Sequence, residues 1–488
     1  MNKLGIVGVV LLAALVALFA MRNFIASPPE PSPPPPRAIF DATQPLRIEV
    51  HGEEAFWMTR ELRNLVARSK LNLVSFAAQP AAEQSFTLRI EVRPAQSLAG
   101  LTLVAPDGIV DRSELLQLPQ DSQLATMRRL AERLPGFLGL EDDRSEWPKR
   151  LGTEDAAAYA TFLDASDALF AEVATGFTAP SRPSHRRAAT LERLERVTRR
   201  HRDFARARAL LALGYLSLGG EDADSLTRLA ETAAQRALTA DPELADAHAA
   251  LGIVYARKLK WAAAQEHLET ALALDAGNVA ALEALGCLLL DAGRVDVALP
   301  HAQRAASLQP GNRGAQQCAT YAHIATRTES TGDEPTADSA RIQAAVLLLE
   351  SDRPHAETLL REHKAVSDEL IRAVIDASRD RGRVPDALRV ITRSADEEII
   401  DVHTETLFGT ALRRPDFVFN RMLRQLKAGE SAPLRLLWLP QTEFLRKHPR
   451  FREIVNAAAL TTYWQKHGLP SVCSSEPAIY GCALKRAR

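Results

Sequence analysis

Apolar and polar positions change rhythm several times along this chain, and each rhythm predicts a different element. Residues Leu4 to Met21 form an uncharged apolar run of 18. At about 1.5 Å per helical residue it just crosses a hydrocarbon layer of about 30 Å. Leu46, Ile48 and Val50 alternate with polar neighbours, the period of a half-buried strand. Met58, Leu62, Leu65 and Val66 then share one helix face. Four more strands are predicted: around Leu71, Leu73 and Val74; across Phe86, Leu88, Ile90 and Val92; from Leu101 and Leu103; and over Ile109 to Leu118, after the tight-turn pair Asp107-Gly108. Leu124, Met127, Leu130 and Leu134 mark a closing helix. The order β-α-β-β-β-β-α over residues 39–147 predicts a small α+β domain with helices on one side of a mixed sheet.

From residue 150 a helical period takes over, and self-similarity returns every 34 residues. Gly252 and Gly286 are 34 apart, as are Ala230, Ala264 and Ala298, and Ala237, Ala271 and Ala305. Pro242 and Pro310 share a phase, with Ala276 between them. Leu251-Gly252 and Leu285-Gly286 would let paired helices approach closely; Tyr255 and Leu268 would fill the space between them. Proline cannot continue a helix and would fix the turn into the next unit. The clearest units are 245–278 and 279–312. The unit before them, 207–244, holds Gly214 and absorbs four extra residues near Gly219-Gly220. A degenerate pair is expected at 154–174 and 186–201, a further first helix at 313–327, a polar loop at 328–335 and diverged helical repeats over 338–468.

These phases match the tetratricopeptide (TPR) pattern, so residues 150–327 are expected to form an α-solenoid, since one pair cannot bury its apolar face alone. First helices line the groove of such a stack. Here they would present Arg208, Leu211, Tyr215, Asp246, Ala249, Ile253, Ala256, Arg257, Glu283, Cys287 and Leu290. That face is mostly apolar and predicts an extended or helical apolar protein segment as ligand.

The amino terminus has two readings. Lys3 before the run, with only residues 1–3 as a cytoplasmic tail, favours an uncleaved anchor over 4–21 that leaves the bulk outside the cytoplasm. The competing reading is a cleaved signal peptide, but Leu18 would then stand at −3 where a small residue is needed. Residues 22–38 hold seven prolines within Ser27 to Pro36 and predict a stiff polyproline II spacer. The expected location is therefore the inner membrane, single-pass, with an extracytoplasmic body.

Net charge is −1, which argues against a general polyanion binder. Arginines 186, 187, 193, 196, 199 and 200 share their stretch with Leu191, Leu194 and Val197, and Glu192 and Glu195 precede Arg196 and Arg199 by four. An amphipathic repeat helix accounts for them without nucleic acid. Arg446, His448, Arg450 and Arg452 are expected at a solvated helix end, and Trp438, Phe451, Tyr463 and Trp464 in a core. Four cysteines form no CxxC pair. Cys287 and Cys318 sit on helical patterns and are expected as buried thiols; Cys473 and Cys482, in the 469–488 tail, could close a disulfide outside the cytoplasm. No catalytic, cofactor or metal constellation stands out, and no small-molecule substrate is expected.

The chain resembles bacterial membrane-anchored proteins that join a TolB-like amino-terminal domain to TPRs, the extracytoplasmic parts of winged-helix, adenylate-cyclase and kinase regulators. Phe86 to Leu118, Arg150-Leu151-Gly152-Thr153 through Leu163, and Leu445 to Phe451 with Leu460, Tyr463-Trp464, Gly468 and Cys473 carry the resemblance. It implies a protein-binding module, a scaffold or the sensory half of a regulator. The alternative is a signalling or transcriptional regulator lacking its cytoplasmic output domain.

Overall fold

The computed structural model describes residues 40, 44–52, 55–67, 69, 71–75, 85–140, 145–172, 185–218, 223–328 and 335–475. The expected anchor, spacer, Gly219-Gly220 insertion and Cys482 lie outside these residues. No helix among the described residues is long and apolar enough to cross a membrane.

The small domain runs in the expected order: β1 (Pro45–His51), α1 (Ala55–Ala67), β2 (Asn72–Ser75), β3 (Phe86–Arg93), β4 (Leu98–Val104), β5 (Val110–Gln117) and α2 (Gln123–Phe137). The sheet order is β2-β1-β3-β4-β5. β1 pairs in parallel with β2 and β3, and β3, β4 and β5 form an antiparallel meander. Strand alternation decides the covered face: Phe86, Leu88, Ile90 and Val92 are buried, while Arg89, Glu91 and Arg93 are exposed. Met58, Leu62 and Leu65 from α1 and Leu124, Met127, Leu130 and Leu134 from α2 share the core. Ser122 starts α2 by accepting from the Ala125 amide at 3.1 Å, satisfying an amide the helix itself cannot.

Helix pairs follow: α3 (Ala156–Glu172) with α4 (His185–Arg200), α5 (Ala205–Leu216) with α6 (Ala223–Ala240), α7 (Ala245–Arg257) with α8 (Trp261–Leu274), and α9 (Val279–Asp291) with α10 (Val295–Leu308). The 34-residue small positions are the crossing points. Ala230, Ala237, Ala264, Ala271, Ala298 and Ala305 are fully buried. A Cβ added to Gly252 would lie 2.5 Å from Leu268 Cγ, and one on Gly286 would lie 2.9 Å from the Ala302 backbone nitrogen. No ordinary carbon contact is that short, so glycine sets the separation of each pair. Leu251, Leu285 and Leu268 are buried as expected, whereas Tyr255 is half-buried against the His267 ring. Gly214 differs: its open side faces Leu191 and Leu169 of the preceding pair. Pro310 stands in the turn after α10. Asn278 and Asn312, also 34 apart, cap α9 and α11 (Arg313–Thr326) through the Ala281 and Ala315 amides.

Residues 329–334 of the expected polar loop lie outside the described residues, and from Ala337 three diverged pairs continue: α12 (Ala337–Leu349) with α13 (Arg353–Glu362), α14 (Asp368–Arg379) with α15 (Val384–Asp396), and α16 (Val402–Ala411) with α17 (Pro415–Lys427). The fold is thus mainly α, a TPR-type solenoid preceded by a small α+β unit.

The carboxyl-terminal part then turns back. A 3₁₀ turn, Leu434–Trp438, precedes α18 (Glu443–Arg446), α19 (Phe451–Ala457), α20 (Leu460–His467) and α21 (Ser471–Ser475). Trp438 and Trp464 donate their indole N–H to the Asp291 and Ala292 carbonyls at 3.0 and 2.9 Å, capping the end of α9. Trp261 donates to the Ala458 carbonyl at 2.6 Å. Trp438, Phe451, Tyr463 and Trp464 are buried. Arg446 corrects the expectation of a solvated end: it is 1% exposed and donates to the Leu437 and Leu439 carbonyls at 2.7 and 2.9 Å. The Leu437 carbonyl lies near the end of the 3₁₀ turn, where the chain supplies few backbone donors, and the Leu439 carbonyl takes Arg446 as well as the Thr442 amide at 3.1 Å. Arg450 does lie near the surface, bonded to Asp416 and Asn420.

Candidate functional site

The first helices α5, α7 and α9 carry the residues expected to line an open groove, and the structure corrects that expectation. Leu211, Tyr215, Ala249, Ile253, Glu283, Cys287 and Leu290 are all buried, and Arg208, Asp246, Ala256 and Arg257 are half-buried. Three kinds of contact close the face.

Neighbouring first helices bond directly to one another. Asn278 donates to Asp246 at 2.6 Å, and Asn312 donates to Glu283 at 2.8 Å. Burial pushes the Asp246 carboxyl upward against the pull of Asn278. Tyr215 donates to Glu195 of α4 at 2.7 Å, and Arg208 to the Thr198 carbonyl. Arg257 reaches back to the Leu216 carbonyl, and burial lowers its guanidinium to about 10.

The amino-terminal end is occupied by α1 of the small domain. Arg206 of α5 forks onto Glu61 of α1 at 2.7 and 2.9 Å, and the Tyr159 hydroxyl donates to the same carboxylate at 2.5 Å. Burial alone would raise the Glu61 carboxyl; Arg206 and Tyr159 outweigh it and hold it below the usual carboxylate range. Arg60 pairs with Asp167 at 2.8 Å and Arg63 with Asp275 at 3.4 Å. Arg150 donates to the Leu65 carbonyl at 2.6 Å.

The other end is occupied by the returning chain. Arg435 forks onto Asp291 at 2.9 and 2.8 Å and donates its own amide to the same carboxylate at 2.8 Å. Burial raises Asp291 even so. Beside this pair, Tyr321 of α11 bonds His403 at 2.8 Å, and burial lowers that imidazole to about 4.

Cys287 and Cys318 are joined as a disulfide between α9 and α11, with Cα atoms 5.4 Å apart, rather than standing as free thiols. Their separation of 31 is one repeat less three residues, nearly one helical turn, which puts the two on facing sides of consecutive first helices. That was the legible signal. Cys473 is also disulfide-bonded; its expected partner Cys482 lies outside the described residues. Among the described residues, no group of three or more His, Cys, Asp or Glu is placed to hold a metal ion.

An open surface lies on the second helices. A cleft of about 560 Å³ separates α15 from α17. Leu388, Thr392 and Phe417 are its half-buried floor, and Arg389, Arg393 and Asp396 its exposed rim. Arg421 stands over the Phe417 ring at 5.4 Å, and Arg393 pairs with Glu369. No sequence pattern announces this cleft, because the 34-residue period has faded there.

No known family profile matches the chain. Over 102 residues it is 37% identical to the type IV pilus assembly protein PilF of Pseudomonas aeruginosa, a stretch that covers 21% of this chain and 38% of that protein. The chain thus spans well under two thirds of that relative. A chain of the solved structure of Naa15/Naa10 bound to HypK-THB aligns with 65% of this chain and 48% of its own length, at 15% identity. The TM-score there is 0.24, too low to bear on the fold. What this chain shares with that protein is confined to a short stretch, and the repeat geometry described above is that of a TPR-type protein.

Proposed function

We propose that this protein is a membrane-tethered, extracytoplasmic scaffold that holds a partner protein on the outer face of its helical stack. The carrying observation is the cleft between α15 and α17, which combines an apolar floor with a rim of both charges. Such a surface suits the side of an amphipathic segment, one or two apolar anchors seated and charges paired around them. The filled first-helix face favours this cleft over the groove as the docking place. Residues 4–21 would supply the tether and 22–38 the stand-off. The buried Cys287–Cys318 disulfide supports an oxidising compartment, since such bonds persist outside the cytoplasm. The TolB-like relationship of the small domain belongs to the same reading, and so does an assembly role, which the similarity to a pilus assembly protein supports.

The test places a photo-crosslinking amino acid at Arg389 in the full chain in its native membranes, with Val297 on α10 as an exposed control. A discrete adduct is expected from Arg389, absent from Val297 and lost when Thr392→Trp fills the cleft. Equal labelling from both positions, or an adduct indifferent to Thr392→Trp, would remove the cleft from consideration. Topology is read separately from a periplasm-only reporter fused to the carboxyl terminus; an inactive reporter would sink the extracytoplasmic part.

A further inference from the structure

Strand β5 is the last strand of the sheet, and among the described residues no element pairs with its outer edge. Its hydrogen-bonding direction follows from one contact. The Leu118 amide donates to the Ser97 carbonyl at 2.7 Å, and β4 and β5 pair Leu98 with Gln117, Gly100 with Leu115 and Thr102 with Ser113. In an antiparallel ladder alternate residues turn their N–H and C=O to the same side. Arg112, Glu114 and Leu116 therefore face β4, and Ser113, Leu115 and Gln117 offer theirs to whatever lies beyond the edge. A bulge leaves Asp111 without an opposite residue and confines the regular edge to 112–117.

The side chains of those three outward residues also lie on the face that no helix covers. All are exposed and uncharged, and Leu115 is 72% exposed. The strand's regular charges lie on the other face and are engaged there. Arg112 donates to the Phe137 carbonyl at 2.9 Å, and Glu114 accepts the fork of Arg133 at 2.6 and 2.9 Å. Native sheets usually protect an edge with an outward charge or proline; between 112 and 117 the open face of this edge has neither.

The strand is complementary to itself in one register. When two copies meet antiparallel about a two-fold axis normal to the sheet, residues of the same face stand opposite. Centring on Glu114 sets two carboxylates against each other, which is destabilising. Centring on Ser113 brings Leu115 against the bulged Asp111. Centring on Leu115 sets Leu115 against Leu115 and Ser113 against Gln117, so that every outward residue of both strands is used. We propose that two copies of this chain join edge to edge through β5 in that register, making one continuous ten-stranded sheet. A net charge of −1 means that two copies meet without long-range repulsion.

The experiment is the mass of the full chain in detergent by light scattering, with the detergent contribution subtracted. The wild type is expected at twice its 53.4 kDa. Leu115→Arg and Leu115→Glu should each run as monomers with unchanged circular dichroism, because each sets like charges directly opposite. An equimolar mixture of the two should return to the dimer mass, a rescue that only a residue facing its own copy can give. A monomeric wild type, a dimer that survives Leu115→Arg, or a mixture that stays monomeric would each overturn the proposal.

Discussion

Removing Glu61 should destabilise the protein far more than removing Glu61 and Arg206 together. The two side chains are 0% and 6% exposed and share two hydrogen bonds at 2.7 and 2.9 Å. At an effective dielectric of about 20, unit charges about 3 Å apart attract by roughly 5–6 kcal/mol. Withdrawing both from water offsets most of that, so the pair as a whole contributes little net stability. Glu61→Leu leaves Arg206 buried without its partner and should cost about 3–5 kcal/mol. Glu61→Leu with Arg206→Met removes both charges and should lie within about 2 kcal/mol of wild type, including about 1 kcal/mol for the stranded Tyr159 hydroxyl. Urea unfolding followed by tryptophan fluorescence reads the difference, since Trp57 and Trp147 are buried in and beside the small domain. Acid supplies a second reading. Because the folded Glu61 carboxyl is held below its ordinary 4.5, the pair's contribution is complete above that pH and is lost as pH falls through the lowered value. The gap between wild type and Glu61→Leu should therefore narrow on the acid side. A single variant that costs under about 1 kcal/mol, or a double variant as unstable as the sum of the singles, would refute the buried-pair reasoning.

Two further outcomes are expected. Gly286→Ala gains about 1 kcal/mol of helix propensity but drives a methyl into the Ala302 backbone, so it should lose about 1–3 kcal/mol net, whereas Gly311→Ala, with open space around it, should change thermal stability by less than about 0.5 kcal/mol. The Cys287–Cys318 disulfide closes a loop of 31 residues; Cys287→Ala with Cys318→Ala should cost about 3–4 kcal/mol, and mass spectrometry should find both cysteines alkylated only after reduction of the denatured chain.

The stack was legible because its cause is local and periodic. A glycine at 252 and 286 and an alanine at 264 and 298 each mark a helix crossing, and any larger residue there meets another helix. The small domain was legible for the same reason, since strand alternation at Phe86 to Val92 states which face is covered. The closed first-helix face was not legible. Arg206 finds Glu61 across 145 positions and Asp291 finds Arg435 across 144, and no period links such distant residues. The burial of Arg446 is hidden from the sequence for the same reason. Its neighbours Lys447 and Arg450 are exposed or paired near solvent, and nothing in the local pattern sets it apart. The disulfide stood between these cases, encoded in a spacing that only makes sense once helices are known to stack.

The returning carboxyl-terminal chain imposes an order on biogenesis. Asp291 leaves the ribosome 144 residues before Arg435 does, and Trp261 emerges 197 before Ala458. At about 5–20 residues per second the central helices spend roughly 7–40 s in search of shape without the segment that seals them. Throughout that interval an acidic side chain destined for the interior has no counter-ion, and the indole of Trp261 has no acceptor from Ala458. A nascent or clipped molecule is therefore marked by its own incompleteness, and a chaperone or protease that samples such surfaces can tell a finished copy from an unfinished one.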